Sequence, residues 1–264
     1  MDILVCLKQV PDDSVEIHLK PGTAEVNLDG VANVVNAFDT YALEMATRLK
    51  EAIGGSVTAI TVGTKEATDA VKACLAVGAD QGYLISDSAF EMASTLTRSK
   101  ILAAAIKWIE AKVGKSFGLI FCGREATDRA TGQLGPQLAE TLGIGVVTDL
   151  VDIEQTIDGI CAKQETEDGY RRVAAATPCV VTVSKPAYDP RYPTIKSKMA
   201  ARKMSIPVLS SVELNQIDLN DSPGIRIIKV YEPVKRQAGV KIRNETCADS
   251  AVKAVNMMAA AKLL

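Results

Sequence analysis

Histidine is nearly missing from this chain: His18 is the single one in 264 residues. Zinc sites built on several histidines, and histidine-based acid–base relays, are thereby excluded. Aromatic residues amount to only 4%, which suits helices packed closely on a sheet better than an aromatic-rich β-sandwich. No apolar run reaches 18 residues, so no membrane-spanning helix is expected. The opening Met-Asp-Ile-Leu-Val has no basic region ahead of its apolar stretch. No secretory signal is expected, and the expected location is cytoplasmic. The six cysteines, at positions 6, 74, 122, 161, 179 and 247, include no C-x-x-C pair and read as reduced thiols, mostly core fillers. An excess of either charge is also lacking. Thirty Lys and Arg stand against 32 Asp and Glu, which gives no global reason to expect nucleic acid or an anionic membrane as partner.

Two nucleotide motifs are absent as well. No G-x-G-x-x-G follows the first apolar segment, and Gly114-Lys115-Ser116 lacks the first glycine of a P-loop, with Ile109 in its place. A nucleotide, if one binds, must be held in another way. Nor do the serines, aspartates and lone histidine form a recognisable nucleophile or acid–base constellation.

What is present is a regular alternation. Ile3 to Leu7, Val57 to Gly63, Tyr83 to Ile85 and Gly118 to Gly123 read as buried strands, and Val146-Val147 begins another. Helical spacing covers about 40–52, 65–77, 89–112 and 131–142, with Asp39 placed to cap the first helix and Gly54-Gly55 to stop it. Strand and helix in strict rotation imply a parallel sheet covered on both faces. Between residues 15 and 36, Pro21-Gly22 and Asp29-Gly30 mark an excursion before the first helix. After residue 150, Asp158-Gly159 and Asp168-Gly169 turns point to antiparallel hairpins, and Pro178 to Val183 to one more core strand. The expected fold class is α/β, a doubly wound and mainly parallel sheet with added antiparallel hairpins. Residues 186–207 read as irregular. Beyond Pro233 little core-forming sequence remains before an Ala/Met-rich helix over about 248–264, an extended C-terminal arm suited to docking. Residues 1–232 are the expected α/β domain and 233–264 the arm.

The loop Cys122-Gly123-Arg124-Glu125-Ala126-Thr127-Asp128-Arg129-Ala130-Thr131-Gly132-Gln133-Leu134-Gly135-Pro136 lies at the carboxyl end of a buried strand and runs into a helix. Ligands collect at such places in open α/β sheets, and free amides at a helix start favour phosphate. Small residues at Ala130 and Gly132 admit a ligand close to the backbone. The competing reading is a polar loop with a capped helix. Asn36-Ala37-Phe38-Asp39 is a second candidate, with Asp39 read first as an N-cap and Asn36 free to address an adenine edge or a ribose. Cys6 and Val62 end two strands on the same crevice. A third segment, 188–205, carries Arg191, Lys196, Lys198, Arg202 and Lys203 against Asp189, interleaved with Tyr192, Ile195 and Met199. That mixture suits a protein-docking loop with a hydrophobic anchor.

Five ordered blocks together resemble the beta subunit of an electron-transfer flavoprotein. They are Leu7-Lys8-Gln9-Val10-Pro11-Asp12, Val35-Asn36-Ala37-Phe38-Asp39, Leu75-Ala76-Val77-Gly78-Ala79-Asp80, Gly123 to Pro136, and Pro190-Arg191-Tyr192-Pro193-Thr194-Ile195. The resemblance implies a heterodimer with an alpha subunit that carries its own FAD, over which the beta chain wraps its C-terminal arm. It implies an adenine nucleotide held by Cys6, Asn36, Ala37, Phe38, Asp39, Val62 and the residues from Gly123 through Leu134. It also implies that Arg191, Tyr192, Ile195, Lys196 and Met199 belong to a recognition loop for an FAD-dependent partner dehydrogenase. The family divides over the crevice. Some members hold AMP as a structural ligand; others hold a second FAD that takes a hydride from NADH and bifurcates the electrons, one going to ferredoxin. The Val35 to Asp39 block and the Thr131 to Pro136 block look more like the bifurcating branch, so the expectation is FAD, with AMP as the alternative. Arg129-Ala130 departs from the small-plus-acidic pair more usual there.

Overall fold

A computed structural model describes residues 1–91, 93–214, 227–234 and 238–264. The described chain divides into two compact units, Met1–His18 with Val26–Ile228, and Leu19–Glu25 with Lys229–Leu264.

The first unit is built on one nine-stranded sheet. Its strands are β1 (Ile3–Leu7), β2 (Val57–Val62), β3 (Gln81–Ile85), β4 (Leu119–Gly123), β5 (Gly145–Thr156), β6 (Gly159–Thr166), β7 (Gly169–Ala175), β8 (Cys179–Val183) and β9 (Val208–Leu209). They lie in the order β7-β6-β5-β8-β4-β1-β2-β3-β9. Pairing is parallel from β5 across to β9 and antiparallel in the β5–β6–β7 meander. Every residue of β1 and β8 is buried. Strands covered on both faces need no polar alternation, which is why β1 is apolar throughout and β8 has Thr182 as its one polar side chain. The Asp158-Gly159 and Asp168-Gly169 turns do close the antiparallel hairpins.

Helices cover both faces. On one side α1 (Ala37–Ile53) and α2 (Thr68–Leu75) contribute Met45, Leu49 and Val71 to a core that also holds Phe121 and Val181. Ala201 of a later helix, α5 (Ile195–Lys203), joins that layer. On the other side α3 (Thr95–Val113) and α4 (Leu134–Leu142) pack Leu102, Ile106, Ile109 and Leu138 against Leu4, Ile60 and Ile120. Leu102, Ala105, Ile106 and Ile109 share one stripe of α3.

Several boundaries differ from the sequence pattern. The helix expected over 65–77 opens as a 3₁₀ turn, Lys65–Ala67, before α2. The one expected over 89–112 is split between a 3₁₀ turn, Ser88–Phe90, and α3. Two local caps make the break: Asp87 accepts from Ala89 N at 3.0 Å, and Ser94 accepts from Thr97 N at 3.1 Å. The supposedly irregular 186–207 contains α5, whose first turn is capped by Thr194 accepting from Ser197 N at 3.0 Å.

The second unit carries α6 (Cys247–Ala260), capped by Thr246, which accepts from Asp249 N at 3.1 Å. No residue of α6 is buried, and Val252, Val255, Met257 and Met258 are exposed. Within this unit Leu19 N donates to the Glu232 carboxylate at 2.8 Å. Among the described residues no helix is long and apolar enough to cross a membrane.

The strand order places a single aromatic ring, that of Phe121, at 0% exposure in the middle of the sheet. Phe121→Ala is expected to lower the unfolding free energy by about 3–5 kcal/mol, the ordinary cost of such a cavity, read as a fall in the urea midpoint.

Candidate functional site

The chain winds outward from β1 to β2 and β3, then returns to place β4 on the other side of β1. At such a reversal the connections leave in opposite directions and a crevice opens at the carboxyl ends of the strands. The cleft found there is lined by Cys6, Leu7 and Lys8 from the end of β1, Asn36 and Asp39 around the start of α1, and Val62 from the end of β2. The loop after β4 supplies Cys122, Gly123, Arg124, Glu125, Ala126, Arg129, Thr131, Gly132, Gln133 and Leu134. The remaining wall is Ala93, Thr95, Arg98 and Leu102, around the start of α3.

Asp39 is not the N-cap of α1. Asn36 occupies the cap position and Asp39 falls in the first turn, with its side chain turned across the strand ends. It accepts from Lys8 N at 2.7 Å and Gly123 N at 3.1 Å, so one carboxylate ties β1 and β4 to α1. A negative group in the first turn is also favoured by the helix dipole. Gly123 is obligatory at this junction, because a Cβ there would stand 2.3 Å from Asp39 Oδ1 and 2.8 Å from Phe38.

Asn36 is also assigned differently from the sequence expectation. Its amide is spent within the chain: Nδ2 donates to Glu125 O at 2.8 Å, and Oδ1 accepts from Thr127 N at 3.0 Å. Asn36 borders the cleft and shapes it, clamping the loop after β4 through both ends of its amide. The helix that follows starts at Leu134, not near Thr131. The reason lies in the backbone ahead of it. Ala130 and Gly132 take left-handed conformations at φ 47° and 61°, which interrupts helical geometry and turns successive amides outward. Among the described residues, the N–H groups of Thr131, Gly132 and Gln133 have no acceptor. A Cβ on Gly132 would meet nothing nearer than Arg124 O at 3.8 Å, so this stretch of backbone is open to close approach.

Thirteen of the expected residues therefore line one cleft, while Ala37, Phe38, Thr127, Asp128 and Ala130 do not. Asp128 is engaged with the Lys8 ammonium at 2.5 Å. Lys8, Thr95 and Arg98 are wall residues that the motif reading did not include. The signal for Arg98 was a basic residue in the first turns of a helix with no acid in its first turn, against the usual dipole preference. The donor set fits a phosphorylated ligand: open amides, the Thr131 and Gln133 side chains, and guanidinium groups.

The docking segment separates into two roles. Tyr192 and Ile195 stand 91% and 81% exposed, with Met199 and Lys196 also on the surface of α5. Arg191 does not share that exposure. Its guanidinium pairs with Glu44 at 2.8 Å and Glu51 at 2.6 Å on α1, and its own N–H donates to Glu44 at 3.1 Å. Burial pushes the Glu44 carboxyl up, but hydrogen bonds from Arg191 and Arg48 outweigh it and hold the group below its ordinary range. Arg191 anchors the loop, and Tyr192, Ile195, Lys196 and Met199 beyond it are the presented surface.

Burial pushes Asp39 up to about 7, against the opposing hydrogen bonds from Asn36 and the two amides. An unfolded aspartate titrates near pH 4. Between about pH 4 and 7 the folded state therefore binds a proton that the unfolded state has released, and the contribution of this group to stability declines as pH rises through that window. Asp39→Asn is expected to lose this component. Urea midpoints measured from pH 4 to 7 should fall less steeply for the variant than for the parent protein.

Comparison with known proteins bears directly on this cleft. The model of the electron transfer flavoprotein domain matches residues 23–214. The chain is 38% identical over 258 residues to the electron transfer flavoprotein subunit beta of Megasphaera elsdenii, covering 96% of this chain and 95% of the relative. It is 37% identical over 254 residues to the acryloyl-CoA reductase electron transfer subunit gamma of Anaerotignum propionicum, covering 92% of each. With the caffeyl-CoA reductase-Etf complex subunit CarD of Acetobacterium woodii it shares 35% identity over 251 residues, 93% of each. Similarity of this extent, spanning the switch-point cleft and α5 alike, places the chain in the electron transfer flavoprotein family, as a beta subunit.

Proposed function

We propose that this beta subunit holds FAD in the switch-point cleft and works in a heterodimer that oxidises NADH and bifurcates the electrons. The observation that carries the reading is the run of acceptor-free amides at Thr131, Gly132 and Gln133, opening beside guanidinium groups where β1 and β4 diverge. Bound FAD supplies two-electron chemistry toward NADH and one-electron chemistry toward ferredoxin and the FAD of the alpha subunit. The chain's own side chains bind and position. The loop amides and Thr131 receive phosphate, Asn36 and Asp39 hold the loop and strand ends in register, and the apolar ends of β1 and β2 (Cys6, Leu7, Val62) keep water from the floor. No general acid or base is required of the protein for such a transfer. Bifurcation is supported by two of the relatives named above, whose names attach them to acryloyl-CoA and caffeyl-CoA reductases.

The arm and the docking helix complete the proposal. An α6 with four exposed apolar side chains and no buried residue needs an apolar partner surface, and the alpha subunit is assigned that role. Tyr192, Ile195, Lys196 and Met199 face outward to meet an FAD-dependent dehydrogenase. The whole assembly is placed in the cytoplasm. AMP as a structural ligand is the second reading, because the amides of Thr131 to Gln133 by themselves offer a place for one phosphate.

The measurement that separates them is the nucleotide content of the purified alpha–beta pair after acid release. Two flavins per pair are expected. One flavin with one AMP would assign the cleft to AMP and remove the NADH-oxidising role from this chain.

A further inference from the structure

Arg98 and Arg129 reach the same cleft from two elements, the first turns of α3 and the loop after β4. The other cations lining it already have carboxylate partners. Lys8 is paired with Asp128 at 2.5 Å and Arg124 with Asp149 at 3.5 Å. Among the described residues, neither Arg98 nor Arg129 has a carboxylate within the 4.0 Å of an ion pair. Of the carboxylates that line the cleft, Asp39 is occupied by two backbone amides, and Glu125 pairs with neither guanidinium.

Arg98 is also held still. Its Nε donates to Ala93 O at 3.2 Å, and its two Nη atoms donate to Glu91 O at 3.3 Å and Val62 O at 3.5 Å. A guanidinium has five N–H groups in a planar fork, so two remain. Burial, and then the neighbouring charge of Arg129, push the Arg98 guanidinium below its ordinary range. A fixed, half-buried cation near a helix N-terminus, close to a second cation and offset only in part by Asp128, which is already paired with Lys8, is unfavourable until an anion comes between the two guanidinium groups. A second cavity of about 660 Å³ at the ends of β2 and β3 shares Val62 and Arg98 with the cleft, so Arg98 borders room for a ligand on that side too.

We propose that Arg98 and Arg129 form a two-cation subsite for the second phosphoryl group of a nucleotide, so that the cleft selects diphosphate-bearing nucleotides over monophosphates. The proposal rests on the nucleotide-binding reading above. The amides of Thr131 to Gln133 take one phosphoryl group, and the two guanidinium forks take the next, each able to offer paired N–H donors to phosphate oxygens. A ligand with one phosphate satisfies the amides and leaves the cations unmatched.

The test uses the purified alpha–beta pair, stripped of bound nucleotide and titrated calorimetrically with adenosine, AMP and ADP. A charge-assisted hydrogen bond contributes roughly 1.5–3 kcal/mol, so the parent pair is expected to bind ADP about ten- to a hundredfold more tightly than AMP. Arg98→Gln and Arg129→Gln should each pull that ratio toward one without changing the affinity for adenosine. Lys112→Gln, at the far end of α3, should leave it unchanged. Flavin absorbance of the alpha subunit reports whether a variant pair has assembled. Where a glutamine variant has not, Arg98→Lys and Arg129→Lys make the same comparison, because lysine keeps the charge and loses the fork. Equal affinity of the parent for AMP and ADP would overturn the proposal, as would a preference that survives both arginine substitutions, while leaving the nucleotide site itself intact. Failure to bind any adenine nucleotide would remove that site and the proposal together.

Discussion

The Asp39 carboxylate sits where three elements end, and the cleft exists because it holds them there. Strands β1 and β4 are neighbours whose following connections depart in opposite directions, so their last amides have no ladder partners to share. Asp39 accepts from one amide of each, at Lys8 and Gly123, and does so from the first turn of α1. The close approach demands a residue without a side chain at position 123, since any Cβ would enter the space of Asp39 and Phe38. Burying a carboxyl group for this purpose is costly, as its upward shift to about 7 records. Asn36, three residues earlier, extends the arrangement by fastening the loop after β4 through both ends of its amide. With the loop fixed on this side, its amides at Thr131 to Gln133 are turned outward.

The same helix connects two surfaces of different purpose. Near its start, α1 carries Asp39 at the cleft; further along, Glu44 and Glu51 hold Arg191 ahead of α5. Asp39 and Glu51 are separated by about 18 Å along a regular helix at 1.5 Å per residue. A 17-residue helix packed on the sheet over its length is a rigid spacer. The position of Ile195 and Tyr192 relative to the switch-point cleft is therefore set by the length of α1 and by a half-buried ion-pair network.

Much of this architecture was legible in one dimension. Strands β1 and β4 showed as short apolar runs and β2 and β8 as strands rich in β-branched residues, because both faces of the sheet are covered, and the Asp-Gly turns at 158–159 and 168–169 marked the hairpins through local backbone preference. The cleft was legible too, since a polar, glycine-containing loop after a buried strand has a known place in a doubly wound sheet. What escaped was the partner of each polar side chain. Asn36 and Thr127 are 91 residues apart, Lys8 and Asp128 are 120 apart, and Arg191 and Glu44 are 147 apart. No local rule connects such pairs. Helix starts were misplaced for a related reason. Asp39 has the residue type of a cap, but the strand ends compete for its oxygens and win, because buried amides without acceptors cost more than an unfilled cap position.

The amino-acid order by itself determined the alternation of strand and helix, the depth of the core and the small residues at the loop backbone, because burial and turn preference act on neighbours. Only the tertiary structure decided that Asp39 joins two strands, that Asn36 braces a loop, that Arg191 is anchored, and that Arg98 lines the switch-point cleft. Those roles depend on distances through space between groups far apart in the chain, and such distances are set when the sheet closes and its helices pack.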